Sequence, residues 1–442
     1  MTSHLEDTLF QGACGPLWKK IGVRSHNGIA LPLSALHTAE SCGIGEFLDL
    51  LPLIDFCHQL RLDVIQLLPL NDSGSDPSPY NALSSCALNP IYISLHALPD
   101  LDSSLRELLQ PLKALSAGTH IAYADVQSRK LHFLRTYFEK VGAALAKSLP
   151  FNQFIDENPW VKPYALFKVL KDQLEQNPWI SWPNELKTYS EALFLTHWKE
   201  ATFYITLQYF SFLQLEQVRN YAHKQRLLIK GDIPILLSPD SADVWQNPWL
   251  FDLSLSAGAP PDALGPDGQY WGFPIWNWDA LKQDHYRFWK QRLRVASTCY
   301  DLYRLDHVVG FFRIWSIPMG HPSKDGKFVP EDEKLWIPAG TEHLKMLISA
   351  SSMLPIAEDL GTVPAAVRST LNQLGVCGTK VIRWERLWNE NGVFIPFKFY
   401  PPVSMTCVST HDSPTLALWW RDYPQEAKAF AAFKKWTYAP EF

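Results

Sequence analysis

The chain has 442 residues, 47% hydrophobic and 19% charged, with 40 Lys and Arg against 45 Asp and Glu for a net charge of −5. That composition suits a globular protein with a sizeable core. It has no basic tract of the kind that binds nucleic acid, and no run of roughly 18 apolar residues to span a membrane. The N-terminus lacks the basic start and apolar run of a secretory signal. The seven cysteines are scattered without metal-ligand spacing, which reads as buried thiols of a reducing cytoplasm.

Strand-like apolar runs recur along the chain. The first is "GIALPLSAL" (28–36), followed by an amphipathic stretch around 46–60 and a second run, "DVIQLLPL" (63–70). A long insertion comes next. It is helical in "DLDSSLRELLQPLKAL" and "VQSRKLHFLRTYFEKVGAALAK" and rich in Trp and Pro elsewhere. A long amphipathic helix (197–225) leads into the third run, "LLIKGDIPILL" (227–237). The remaining runs are "YDLYRLDHVVG" (300–310), "MLPIAEDLG" (353–361), "TKVIRWE" (379–385) and "TCVSTHD" (406–412). Near-continuous apolar runs fit strands covered on both faces, as in a parallel α/β sheet. Several end in charged residues, where a barrel of this kind keeps its chemistry.

The expected fold is therefore an α/β (β/α)8 TIM-type barrel with a helical inserted subdomain. Residues 1–89 supply strands 1–2 and 90–200 the insertion. Residues 201–442 supply strands 3–7, with an active-site loop at 252–280. The pattern after the seventh run is helical, so the C-terminal barrel strand is expected to be absent from this chain.

Strand ends carry the candidate chemistry: Asp306 after the fourth run, Glu358 and Asp359 after the fifth, His411 and Asp412 after the seventh, with Asp232 at the third. On a barrel these ends converge on one mouth, and carboxylates crowded there repel one another. Glycoside chemistry has a use for such a set. A retaining glycosidase needs an ionised carboxylate and a protonated carboxyl about 5–5.5 Å apart. Arg304, two residues before Asp306, points to the same face of a strand and favours its ionised form. Burial beside an anion raises the pKa of Glu358, which suits an acid. Ser241 and Ser409 lack a glycine elbow, and His307, His411, Asp306 and Asp412 lack metal-site spacing. The 18 Trp, many of them in loops (Trp160, Trp179, Trp182, Trp245, Trp249, Trp271, Trp276, Trp278), hint at platforms for sugar rings, though each also suits the pinning of a loop.

Several of these segments together resemble the amylomaltases, the 4-α-glucanotransferase or disproportionating-enzyme family. They are "SPYNALSSCALNPIYI", "GDIPILLSPDSADVW", "GAPPDALGPDGQYWGFPIWNW", "RLDHVVGF", "AEDLG" and "THDSPT", in order from about residue 28 onward. The resemblance implies retaining transfer of α-1,4-glucan segments through a covalent glucosyl-enzyme, with no metal or organic cofactor. Malto-oligosaccharides, or glucans from glycogen or starch, would be donors, and glucose or another sugar the acceptor. By the same resemblance Asp306 is the nucleophile, Glu358 the acid/base and Asp412 the transition-state-stabilising aspartate. Arg304 holds the nucleophile, His411 binds sugar hydroxyls and Tyr80 stacks on the donor sugar. Asp232, Asp262, Trp271 and His307 complete the expected substrate-binding set. The chain departs from the family's pattern at Val308-Val309, where an aromatic and an arginine are usual, and at Phe273 and Ser413. The alternatives are a glucan hydrolase on the same scaffold and a glucan-binding protein with weak or no activity.

Overall fold

Each of the seven apolar runs contains a strand. The computed structural model describes residues 2–261, 265–387 and 392–441. In chain order its strands begin with β1 (Gly28–Leu31), β2 (Val64–Leu67), β3 (Leu228–Ile233), β4 (Phe251–Ala259) and β5 (Gln269–Trp276). They continue with β6 (Leu302–Leu305), β7 (Ile314–Pro318), β8 (Lys327–Val329), β9 (Leu354–Ala357) and β10 (Gly378–Val381). The last are β11 (Arg386–Leu387), β12 (Val393–Phe394) and β13 (Ser404–Cys407).

One parallel sheet runs β1-β2-β3-β6-β9. A parallel bridge from Ile356 to Cys377, and the bond from Ala357 N to Cys377 O at 2.7 Å, carry the row on to β10. β10 then pairs in parallel with β13. Seven parallel strands thus neighbour one another in chain order, as in a (β/α) barrel. β6 and β9, in the middle of the row, are buried at every residue. The flanking β1 and β13 are half-exposed, and their outer edges pair with no other described strand.

A second sheet stands apart, antiparallel, in the order β5-β4-β7-β8. Its first two strands fall in the stretch expected to be a loop, 252–280. Two register shifts interrupt the β4–β5 ladder, between Asp252 and Ser256 and between Ser256 and Gly258. Such bulges break the two-residue alternation by which a strand is recognised in sequence.

The helix Trp198–Lys224 also differs from its expected amphipathic form. Residues Ala201 to Gln208 are all buried, so it is covered on every side there. It packs between β3 and the helices Tyr123–Leu145 and Val161–Gln173. Its second half keeps the expected polar face, with Glu216, Gln217, Asn220 and Lys224 exposed.

Most of the conspicuous tryptophans pin loops. Trp160, Trp179, Trp182, Trp245 and Trp276 are buried. Four of their indoles donate to backbone carbonyls: Trp179 to Pro239 at 2.8 Å, Trp182 to Asn177 at 2.9 Å, Trp245 to Leu186 at 2.9 Å and Trp276 to Ile235 at 2.8 Å. Trp278 stacks on His343 at 3.8 Å. Six of the seven cysteines are buried, and all seven are free thiols. No described helix is long and apolar enough to cross a membrane.

Candidate active site

Strand register assembles the site. Arg304 on β6 lies opposite Asp232 on β3 and opposite Ile356 on β9. Asp306 and Glu358 each follow by two residues, which returns the side chain to the same face. Arg304 Nη1 donates to both oxygens of Asp232, at 3.0 Å each. Its Nη2 lies 2.7 Å from Asp306 Oδ1 and 3.9 Å from Glu358 Oε2. One guanidinium therefore gathers three carboxyl groups from three strands. On the other face of β3, Gly231 makes room for Tyr300: a Cβ there would sit 2.4 Å from its ring.

The chain turns sharply after Asp306. β6 ends at Leu305, and Val308–Phe311 forms a short 3-10 turn rather than the longer strand expected to Gly310. His307, at φ 43 and ψ 56, takes the left-handed conformation that costs a non-glycine residue roughly 1–2 kcal/mol. That bend aims the His307 N–H at Glu358 Oε2, 2.9 Å away, while Val308 N donates to Glu358 O at 3.1 Å. Val308 and Val309 are both buried in the turn.

Burial decides the protonation states. It pushes Glu358 up to about 7, against the opposing charge of Arg304 and with Asp306 adding to the rise. It works against the charge of Arg304 too, but Asp232 and Asp306 outweigh it and raise the arginine's pKa. Burial lowers that of His307, with Asp306 opposing. It raises Asp232, while Arg304 and Tyr80 pull the other way. Every hydrogen-bond partner recorded for Asp232 is a donor, as an ionised carboxylate requires.

The aromatic members line the mouth. Tyr80 donates to Asp232 Oδ2 at 2.8 Å, and its ring stacks on His411 at 5.1 Å and 11°. Trp271 meets His307 edge-on at 5.1 Å. His411 Nε2 lies 3.3 Å from Asp412 Oδ2, and the Asp412 side chain is 70% exposed. The structure thus knits Asp306, Glu358, Arg304, Asp232 and Tyr80 together, with His411, His307 and Trp271 in ring contact. Asp412 joins only through His411. Asp262 lies outside the described residues. Asp359 belongs elsewhere: it accepts from Thr379 N at 2.7 Å and pairs with Arg368 at 3.2 Å.

Three supporting residues escaped the sequence reading. Arg383 donates from Nη1 to Ser409 Oγ at 3.2 Å and to Pro414 O at 2.9 Å, tying down the turn that carries His411 and Asp412. It lies in the sixth run, two residues past the end of β10, so the strand-end rule that flagged Arg304 applies to it as well. Gln208 clasps Leu88 through both N–H and C=O at 2.8 Å, and Gln214 does the same to Ser94 at 2.8 and 2.9 Å. These clasps hold the segment after Tyr80 on the long helix. Nothing in sequence distinguishes such glutamines from solvent-facing ones.

Comparison with known proteins places the chain in a family. A family model described as 4-alpha-glucanotransferase matches residues 31–440. The chain is 46% identical to a 4-alpha-glucanotransferase of Chlamydia caviae over 434 residues, 96% of this chain and 80% of the other. It is 43% identical to that of Chlamydia trachomatis, over 96% and 81% of the two chains. Among solved structures it is similar to the amylomaltase from Streptococcus agalactiae in complex with acarbose, with a TM-score of 0.80 and 25% identity over 94% of this chain and 85% of that one. The chain belongs to the 4-alpha-glucanotransferase family, enzymes that transfer segments of α-1,4-glucan.

Proposed function

We propose that the chain moves α-1,4-glucan segments between malto-oligosaccharides, or onto glucose, by a double displacement at Asp306 and Glu358. In the first step an Asp306 oxygen bonds to the anomeric carbon. The bond to the leaving sugar's O4 breaks, and that oxygen takes the proton of Glu358. In the second step an acceptor 4-hydroxyl attacks the same carbon, gives its proton to Glu358 and releases Asp306. Arg304 anchors Asp306 through Oδ1, which leaves the other oxygen for the attack. His411 and Asp412 would hold the hydroxyls of the distorted sugar, and Tyr80 and Trp271 would flank it. Asp232 would act through Arg304 and Tyr80.

One observation carries this reading: Asp306 and Glu358 lie 2.7 and 3.9 Å from the same guanidinium nitrogen, where burial pushes Glu358 up to about 7. Two carboxyls so gathered suit the separation of a retaining pair, roughly 5–5.5 Å, better than the wider gap that admits a nucleophilic water. Incubation with maltotriose tests it. Glucose together with maltopentaose and longer products is expected. Glucose and maltose alone would mean hydrolysis. Asp306→Ala is expected to lose at least about 10⁴-fold in rate, as removal of a covalent nucleophile does.

A further inference from the structure

Behind the site lies a buried cation with no use in the scheme above. Arg292, on the helix Arg287–Cys299, is only 3% exposed. Its guanidinium lies over the ring of Trp289 at 4.9 Å, and its buried Nη1 meets no hydrogen-bond acceptor among the described residues. A buried guanidinium without acceptors is costly. Arg292 lines a small cavity of about 20 Å³, together with Asn71, Ser85, Tyr300 and Asp232. That exceeds the roughly 10–15 Å³ that one water needs, and its polar walls supply the two to four partners a buried water takes.

Charge selects what occupies it. Asp232 borders the cavity, and Asp243 lies just beyond, holding Ser85 N at 2.6 Å and Ser85 Oγ at 3.0 Å. Arg304 is already shared between Asp232 and Asp306. Two carboxylates thus face the single charge of Arg292, and an added anion would meet net repulsion. The other titratable neighbours stay neutral: burial pushes the Cys86 thiol up to about 12, the Cys299 thiol to about 11 and the Tyr300 phenol far up. Water accepts from Arg292 and donates to the carboxylates, so it satisfies both.

We propose that Arg292 is a positioning residue for the transfer reaction: through ordered water in this cavity it braces Asp232, which in turn fixes Arg304 against Asp306. The inference rests on the reading of Asp306 as nucleophile. The test uses the full chain with maltotriose and three variants, Arg292→Lys, Arg292→Gln and Arg292→Met. The two neutral variants are expected to lower kcat about 10–100-fold, the cost of a small misplacement of reacting groups, with KM within about twofold. Loss of the positive charge should also move the acid limb of the kcat–pH profile upward. Arg292→Lys should keep that limb in place and recover most of kcat.

A folded neutral variant with lowered Tm but parental kcat and acid limb would overturn the proposal, since a purely structural role predicts that result. Should neither neutral variant fold, Arg292→Lys decides, and a displaced limb despite the retained charge would overturn it. Rates for the parent in chloride and in gluconate at equal ionic strength are expected to match. A requirement for chloride would replace water with an anion and sink the bridge. Asp306→Ala separates the two readings: if it retains activity, the parent mechanism fails whatever Arg292 does.

Discussion

Glu358 is buried beside a cation and yet raised, because the loss of water outweighs the attraction of Arg304. This has a consequence for stability with a definite sign. In the unfolded chain Glu358 loses its proton near 4.5, and in the folded chain near 7. The folded state therefore holds the extra proton between those values, and stability falls as pH rises through that window. Glu358→Gln removes the effect. Relative to the parent, the variant is expected to gain about 2–3 kcal/mol between pH 4 and pH 8, read from urea midpoints at the two pH values. A difference that stays constant with pH would show that the carboxyl ionises freely in the folded state. At the same scale, Gly231→Ala places a methyl group against Tyr300 and is expected to cost about 1–3 kcal/mol, measured by thermal unfolding.

At the scale of elements, the site depends on clasps between the long helix and the loop segment that follows Tyr80. Gln208 satisfies both backbone groups of Leu88, and both lie in buried surroundings. Gln208→Leu fills similar volume but leaves an N–H and a C=O without partners, at an expected cost of about 2–4 kcal/mol. Because that clasp fixes the segment after Tyr80, KM for maltotriose should rise as well. The parallel strands were legible from their apolar runs, and so were the strand-end residues Arg304, Asp306 and Glu358, because the two-residue strand period transmits directly to side-chain direction. The antiparallel sheet was not, since bulges in β4 and β5 scramble the alternation. Nor could sequence show that Asp359, adjacent to Glu358, faces the other way and holds β10 through Thr379. The aromatic loops stayed ambiguous for a related reason: an indole ring suits a sugar face and a loop anchor equally, and only burial separates the two.

Across the whole molecule the core is divided. One cluster runs from Leu9 through the parallel strands to Cys377, while among the described residues a second joins Phe394, Trp419, Trp420, Ala427, Phe430 and Ala431, with Ile382, Leu416, Phe433 and Tyr438 packed against them. So small a cluster gives its helices little cooperative protection. Amides of Leu416–Lys434 are therefore expected to exchange with deuterium faster than those of Trp198–Lys224 in the free protein. Equal protection would mean that the two cores open as one unit. The turn bearing His411 and Asp412 joins this small cluster to β13, and Arg383 reaches it from β10.

The stack of Tyr80 on His411 joins these two regions across the mouth, one ring from the segment after β2 and the other from the turn after β13. A ligand that touches both rings binds only while they are together. By linkage it then opposes their separation by RT ln(1 + [L]/Kd), about 2.7 kcal/mol at a hundredfold excess over Kd. Donor glucan would in that sense act as a thermodynamic rivet. Saturating maltotriose should slow exchange across Leu416–Lys434, and the segment should loosen again as each product departs.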